Sequence, residues 1–355
     1  MSNGANSVAN QIQGLAKGKS PVLVMTIAGL LGGIVGFVLS ETIQGGETNR
    51  FFPENFYLST GVWFMLIIVG IGVLLSASQG IIEKNVEKST SNILTALPAL
   101  AVGGFASGAI AQKVYEVLLE NDGSQVTART IAWGIAGGLG GLAVGAGFRS
   151  AIRIRNCGIG GLGGGLLGGL FFDQISAESS DASTARFLGI VLIGSLMGLF
   201  IALLDAATTD YYLELANSEL KGQQFVLFDQ SSVIGCARTV AVTLMKDPLV
   251  AEQHVKATKT SNGLAIECLR GASAVLINGQ STQNGVLSVG GTIQIGNTLL
   301  VLRSKKGKSV QSTGPVSAVP NSGAQAPQQF PNQPSQTSEP VRSRPTIQMN
   351  NKPKQ

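Results

Sequence analysis

The chain has 355 residues, of which 44% are hydrophobic, 13% are charged and 47 are glycine, with a formal net charge of +5 and one histidine. A soluble domain carries roughly 25% charged residues and ~7% glycine, so an ordinary cytosolic globular protein and a largely disordered chain are both excluded. Three widely spaced cysteines (Cys157, Cys236 and Cys268) do not suit a disulfide scaffold, and the lone His254 rules out most His-based metal sites and most His-dependent catalysis.

Residues 1–20 read as a cytoplasmic N-terminal segment carrying Lys17 and Lys19. A secretory signal is the competing reading, but the apolar core that follows is too long and Ser40-Glu41-Thr42 offers no small-residue cleavage site. Residues 21–205 then hold six apolar stretches: Val22–Leu39, Gly61–Ala77, Ile93–Ala111, Thr130–Phe148, Cys157–Phe172 and Phe187–Leu204. About 20 apolar residues cross a ~30 Å hydrocarbon layer as a helix. Four stretches meet that length well, while the fourth and fifth are short and diluted by glycine. Residues 134–169 contain 15 glycines. Between apolar flanks, such a run predicts membrane helices packed backbone to backbone. The expectation is a six-span α-helical bundle.

The connecting segments set an orientation. One face takes Lys17, Lys19, Lys84, Lys88, Arg149, Arg153 and Arg155; the other takes Arg50, Lys113, Arg129 and Arg186. Seven cations against four predict an inner-membrane protein with both termini cytoplasmic.

An internal repeat runs at an offset of 57. Thr127-Ala128-Arg129 precedes the fourth stretch and Thr184-Ala185-Arg186 the sixth, and Gly137, Leu139, Gly141 and Leu142 match Gly194, Leu196, Gly198 and Leu199. Three related hairpins follow, the third match being loose because Arg50 lies well ahead of its span. No Asp, Glu, Lys, Arg or His lies inside the six stretches. Coupled transporters usually carry such groups, so an anchoring or self-associating bundle is expected, with an uncoupled pore as the alternative. Pro98 should kink the third span.

Residues 206–222 read as a helical or turn-rich connector, with Tyr211 and Tyr212 at headgroup level. From 223 to 303 the pattern alternates, which predicts short strands at Gln224–Phe228, Ser232–Ile234, Val240–Leu244, His254–Thr260, Gly263–Cys268, Ala274–Ile277, Thr292–Ile295 and Thr298–Arg303. This is the pattern of a small all-β sandwich.

Four fragments here carry a resemblance. Val233-Ile234-Gly235, Asp247-Pro248-Leu249-Val250 with His254, Val275-Leu276-Ile277-Asn278-Gly279, and Leu287 through Gly296 follow the order and spacing of a forkhead-associated (FHA) domain. The whole arrangement resembles bacterial multi-pass, glycine-rich membrane proteins that end in such a domain. The resemblance implies a phosphothreonine-binding sandwich and a protein partner, with no cofactor. An FHA domain holds the phosphate with an Arg and a Ser, and the peptide backbone with an Asn. In this chain those positions fall on Cys236, Ala251 and Ser273. The ligand motif is therefore degenerate. Arg238 is the nearby cation that could substitute. Cys236, Arg238, Ala251, Ser273 and Asn278 are the candidate partner-binding residues, and Gly235, His254 and Gly279 are expected to brace the loops. Lys256 and Lys259 are expected on a solvated strand face.

Residues 304–355 open with the basic run Lys305-Lys306-Gly307-Lys308, which could touch anionic lipid, and continue rich in Pro, Gln and Ser. That composition predicts disorder. No P-loop, G-x-S-x-G, H-E-x-x-H or paired C-x-x-C occurs, and basic patches interleaved with aromatics are missing, so neither an enzyme nor a nucleic-acid partner is expected. Two readings remain. One is a membrane scaffold or signalling protein whose cytoplasmic FHA-like domain recruits a protein partner or a phosphopeptide, with phosphothreonine recognition weakened or lost. The other is a small-solute channel or permease regulated by that domain.

Overall fold

The computed structural model describes residues 20–45, 50–121, 124–178, 181–217, 221–244 and 247–305. The N-terminal segment and nearly all of the tail, for which disorder was expected, lie outside the described residues.

Six helices form the first half: α1 (Pro21–Leu39, extended by a π-helical turn over Ser40–Gln44), α2 (Phe56–Ile82), α3 (Val86–Glu120), α4 (Gln125–Ala146), α5 (Ala151–Glu178) and α6 (Ala182–Thr208). Each packs on its neighbour in sequence, and α6 returns to α1, closing a ring that α2 also crosses to reach α4. Asn55, Asn85, Ser124 and Asp181 cap α2, α3, α4 and α6 by accepting from the third residue onward. Ser124 and Asp181 stand at the same offset of 57, so the two Thr-Ala-Arg segments enter their helices through equivalent caps.

Four of these helices are long and apolar enough to cross a membrane: α1 with its π turn, α2, α3 and α6. This corrects the expectation of six spans. Helices α4 and α5 fall short because glycine dilutes their apolar character, although both are full members of the ring.

Glycine explains the closeness of that ring. A Cβ on Gly137 would overlap the carbonyl of Gly161, and one on Gly161 that of Gly137. Gly141 meets the Cys157 carbonyl, and Gly165 that of Trp133. Helices α6 and α1 repeat the arrangement: Gly194 and Gly29 meet each other's carbonyls, and Gly198 meets that of Met25. The repeated glycines 137/141 and 194/198 therefore serve the same contact. At the α2–α3 seam both helices contribute glycines, none of them facing another glycine: Gly104 lies against Met65 and Ile68, Gly108 against Thr60 and Phe64, and Gly61 and Gly72 of α2 against Phe105 and Leu100. Ile67, Ile71, Leu75, Leu100 and Met197 are essentially wholly buried and fill the interior.

The apolar stretches stop short of the helix ends. Arg153 on α5 and Asp205 on α6 are buried and ion-paired, the guanidinium Nε lying 3.0 Å from Asp205 Oδ2. Asp205 also accepts from Asn156 at 2.9 Å. Gln79 accepts from Arg153 and donates to Glu83, and Glu83 pairs with the buried Lys88 at 2.8 Å. A continuous polar network thus crosses one end of the bundle.

The second half is a two-sheet sandwich of eleven strands. One sheet runs β2-β1-β11-β10-β7-β8 and the other β4-β3-β5-β6-β9. The strands are β1 (Tyr211–Leu215), β2 (Gln224–Leu227), β3 (Ser231–Gly235), β4 (Val242–Thr243), β5 (Val255–Thr260), β6 (Gly263–Cys268), β7 (Val275–Ile277), β8 (Gln280–Thr282), β9 (Asn284–Ser288), β10 (Thr292–Ile295) and β11 (Thr298–Ser304). Alternate residues face inward, including Leu213, Leu227, Ile234, Leu264, Leu287 and Leu300, and close one core. The segment expected as a connector differs from that reading. It holds β1, which pairs with β2 and β11 in the middle of a sheet.

The sandwich is seated on the polar end of the bundle. Gln223 donates to the Glu83 carbonyl at 2.7 Å, and Lys88 donates to the Ala241 carbonyl at 2.8 Å. Asp229 accepts from the Ser150 hydroxyl at 2.9 Å and from the Ile152 amide at 3.4 Å. Its negative charge therefore meets the start of α5, where the helix dipole favours an anion. The Arg153 guanidinium lies over Phe148 of the bundle at 3.5 Å and over Phe228 of the sandwich at 4.7 Å.

Candidate recognition edge of the sandwich

Three connections meet at one edge of the sandwich: the β3–β4 loop (236–241), the β4–β5 loop and the β6–β7 loop (269–274). The first two are zipped together by backbone bonds. Cys236 N–H donates to the Ala251 carbonyl at 3.0 Å, and Ala237 N–H donates to the Glu252 carbonyl at 3.1 Å. Gly235 permits that approach, since a Cβ there would overlap the Glu252 carbonyl.

His254 joins the second and third loops. Its ring is fully buried. Nδ1 accepts from the Ala251 amide at 3.0 Å, and Nε2 lies 3.0 Å from the Ser273 carbonyl. A neutral imidazole with its proton on Nε2 satisfies both groups.

Asp247 anchors the start of the β4–β5 loop. Oδ1 accepts from the Leu249 amide at 3.1 Å, while Oδ2 accepts from the Asn297 amide at 2.7 Å and the Thr298 hydroxyl at 2.9 Å. Burial pushes the carboxyl up, but these bonds outweigh it and hold the group below the usual carboxylate range. Asp247 carries part of the sequence resemblance, and its partners emerge only in three dimensions.

The edge gathers Gly235, Cys236, Ala251, His254 and Ser273. It does not gather the other candidates. Arg238 is exposed and turned toward the bundle, where it pairs with Glu87 of α3 at 2.7 Å. Asn278 and Gly279 lie at the other end of β7. Both have positive φ (49° and 84°) and form the two-residue turn into β8, and Asn278 Oδ1 accepts from the Thr292 amide at 2.8 Å. Asn278 thus fixes a hairpin rather than facing the Ser273 loop.

The surface between the loops has no cation at 236 and no hydroxyl at 251. Among the described residues, Glu252, Gln253, Arg270 and Ser273 are exposed polar side chains of these loops. Cys236 is half-buried against the core. Lys256 is exposed as expected. Lys259 is half-buried, donates to the Phe228 carbonyl at 2.7 Å, and is held below its ordinary pKa by burial. Burial raises the Cys268 thiol. Among the described residues, no group of three or more His, Cys, Asp or Glu could hold a metal ion.

No family model matches the chain, and no curated protein matches it. Solved FHA domains are similar to its C-terminal β region. An FHA domain from a study of phosphothreonine-dependent FHA interactions is 21% identical and covers 27% of this chain and 96% of its own, with a TM-score of 0.25. The FHA domain of a Chlamydia trachomatis protein is 23% identical and covers 27% and 97%, also at 0.25. The cytoplasmic domain of PscD, a type III secretion sorting-platform protein of Pseudomonas aeruginosa, is 14% identical and covers 38% and 98%, at 0.25.

Proposed function

We propose that this chain is an integral membrane scaffold whose FHA-like sandwich recruits a protein partner without strict need for phosphothreonine. One observation carries the reading. The two positions where the sequence resemblance calls for the phosphate-binding Arg and Ser are Cys236 and Ala251, and they are backbone partners at 3.0 Å. A phosphate seated there meets a thiol and a methyl group. Losing two charge-assisted contacts costs about 3–6 kcal/mol, roughly a hundredfold to more than ten-thousandfold in affinity. The loops themselves remain tied together by His254, so a shaped surface persists without the phosphate chemistry.

The membrane part of the proposal rests on the helix surfaces. Leu23, Ile27, Leu31, Val35 and Val38 line an exposed face of α1, and Leu94 and Val102 stand out from α3. Exposed apolar faces of that extent suit lipid. The end that bears the sandwich carries Lys84, Lys88, Arg149, Arg153 and Arg155, which favours a cytoplasmic sandwich. The channel alternative gains no support, because wholly buried aliphatic side chains fill the ring.

Photo-crosslinkers placed at Glu252 and Gln253 of the full-length protein in cells test the recognition surface. The expected result is capture of a discrete protein partner that persists after phosphatase treatment and is lost when His254→Ala loosens the loops. Capture that phosphatase abolishes, or micromolar phosphothreonine-dependent peptide binding that Arg238→Ala eliminates, overturns the proposal.

A further inference from the structure

A cavity of about 400 Å³ lies at the seam between bundle and sandwich. Its walls come from the first turns of α1, the last turns of α2 and α6, and the β1–β2 face of the sandwich. Met25, Ile82, Val226 and Phe228 make most of the wall apolar, and Gln79, Glu83, Arg153, Asp205 and Lys305 supply its polar groups. Its size falls within the range of ligand sites. Tyr212, expected at headgroup level, also lines it.

The charges in this lining are unevenly paired. Both carboxylates already carry a cation, and each of their oxygens accepts at least one hydrogen bond. Glu83 receives Lys88 on both oxygens and Gln79 on one, while Asp205 receives Arg153 on Oδ2 and Asn156 on Oδ1. The cations are not saturated. A guanidinium has five N–H donors, and Arg153 aims three of its own at Asp205 and Gln79. Two are left without a partner among the described residues, on a side chain only 4% exposed. Lys305 spends one of its three donors on the Ala206 carbonyl. Lys305, whose ammonium meets a carbonyl and no carboxylate, and the open Arg153 donors, beside carboxylates already paired with cations, select a ligand that accepts hydrogen bonds and carries negative charge, and the apolar wall selects one with a hydrocarbon stem.

From this juxtaposition we infer that the cavity holds the phosphate headgroup of an anionic glycerophospholipid. The phosphate faces Arg153 and Lys305, and the glycerol and upper acyl chain lie along Met25 and Ile82 toward the bilayer. This inference rests on the bundle being embedded in lipid. It does not depend on what the FHA-like edge recognises.

The test uses full-length protein purified in a non-ionic detergent and titrated, with native mass spectrometry as the readout. The probes are dioleoyl phosphatidylglycerol, dioleoyl phosphatidylcholine and inorganic phosphate. One phosphatidylglycerol per chain is expected, bound about tenfold more tightly than phosphatidylcholine. Ala206→Leu, which fills the cavity, and Lys305→Gln, which removes a donor, should each weaken it severalfold while the lipid-free thermal midpoint stays within about 2 °C of the parent. Equal affinity for the two lipids overturns the inference, as does undiminished binding to the folded variants. Inorganic phosphate binding as tightly as the lipid assigns the site to a soluble anion and also overturns it. Failure of the membrane reading looks different: the protein would then be recovered from cells without detergent.

Discussion

Arg238 pairs with Glu87 at 2.7 Å across the junction, so the exposed cation of the β3–β4 loop faces the chain's own third helix. Both side chains are largely in water, at 65% and 45% exposure, and such pairs contribute about 0–1 kcal/mol. Arg153 and Asp205 form the opposite kind of pair, at 4% and 9%. Removing one member strands a buried charge, at about 3–5 kcal/mol. Glu87→Gln should therefore leave the thermal midpoint of the detergent-solubilised protein nearly unchanged, whereas Asp205→Ala should lower it severely. Equal effects would mean that the buried network does not hold the bundle end together.

The glycines of the ring are not equivalent. At Gly137 a side chain would run into the backbone of α5, and Gly137→Leu should destabilise the bundle by about 1–3 kcal/mol or more. At Gly163 the nearest atom to an added Cβ is 3.8 Å away on Phe200. Gly163→Ala should be neutral or stabilising by up to about 1 kcal/mol, because alanine favours the helix. Thermal unfolding of the two variants, monitored by gel filtration, checks the contrast.

Asp247 makes the sandwich acid-sensitive. Its carboxyl is depressed in the folded state, so its stabilisation is fully present above the unfolded value of about 3.9 and is lost as pH falls through the lower folded value. Amide exchange across residues 292–300 should accelerate over that interval. Asp247→Asn should remove the pH step and leave the segment less protected at neutral pH, since an amide cannot accept all three bonds.

His254→Ala deletes the acceptor for the Ala251 amide and the partner of the Ser273 carbonyl. A loss of about 1–3 kcal/mol is expected from the unsatisfied groups, together with faster exchange in both flanking loops. His254→Gln should recover part of it. Unaltered exchange would show that the ring does not brace the edge.

The parts of this architecture visible in the sequence are those with a short-range period. The glycine offset of 57 marks equivalent helix contacts because a backbone-to-backbone approach tolerates no other residue. The alternation from Gln224 onward locates most of the sandwich because one face of each strand must be buried. The helix ends were hidden for the opposite reason. Lys88, Arg153 and Asp205 look like loop residues beside an apolar run, and only the folded ring shows that they satisfy one another inside it. Strand β1 was masked by its position directly after α6, where Tyr211-Tyr212-Leu213-Glu214-Leu215 passes for a connector until β11 returns to pair with it. The turning of Arg238 toward Glu87 was equally invisible, since the two lie 151 positions apart in the chain.

Lipid as the solvent of the glycine-faced ring is the premise on which the rest depends, and alkaline carbonate extraction of membranes from cells expressing the full-length chain tests it most directly. Retention in the pellet, with release by non-ionic detergent, is the expected result. Recovery of the intact protein in the carbonate supernatant contradicts it.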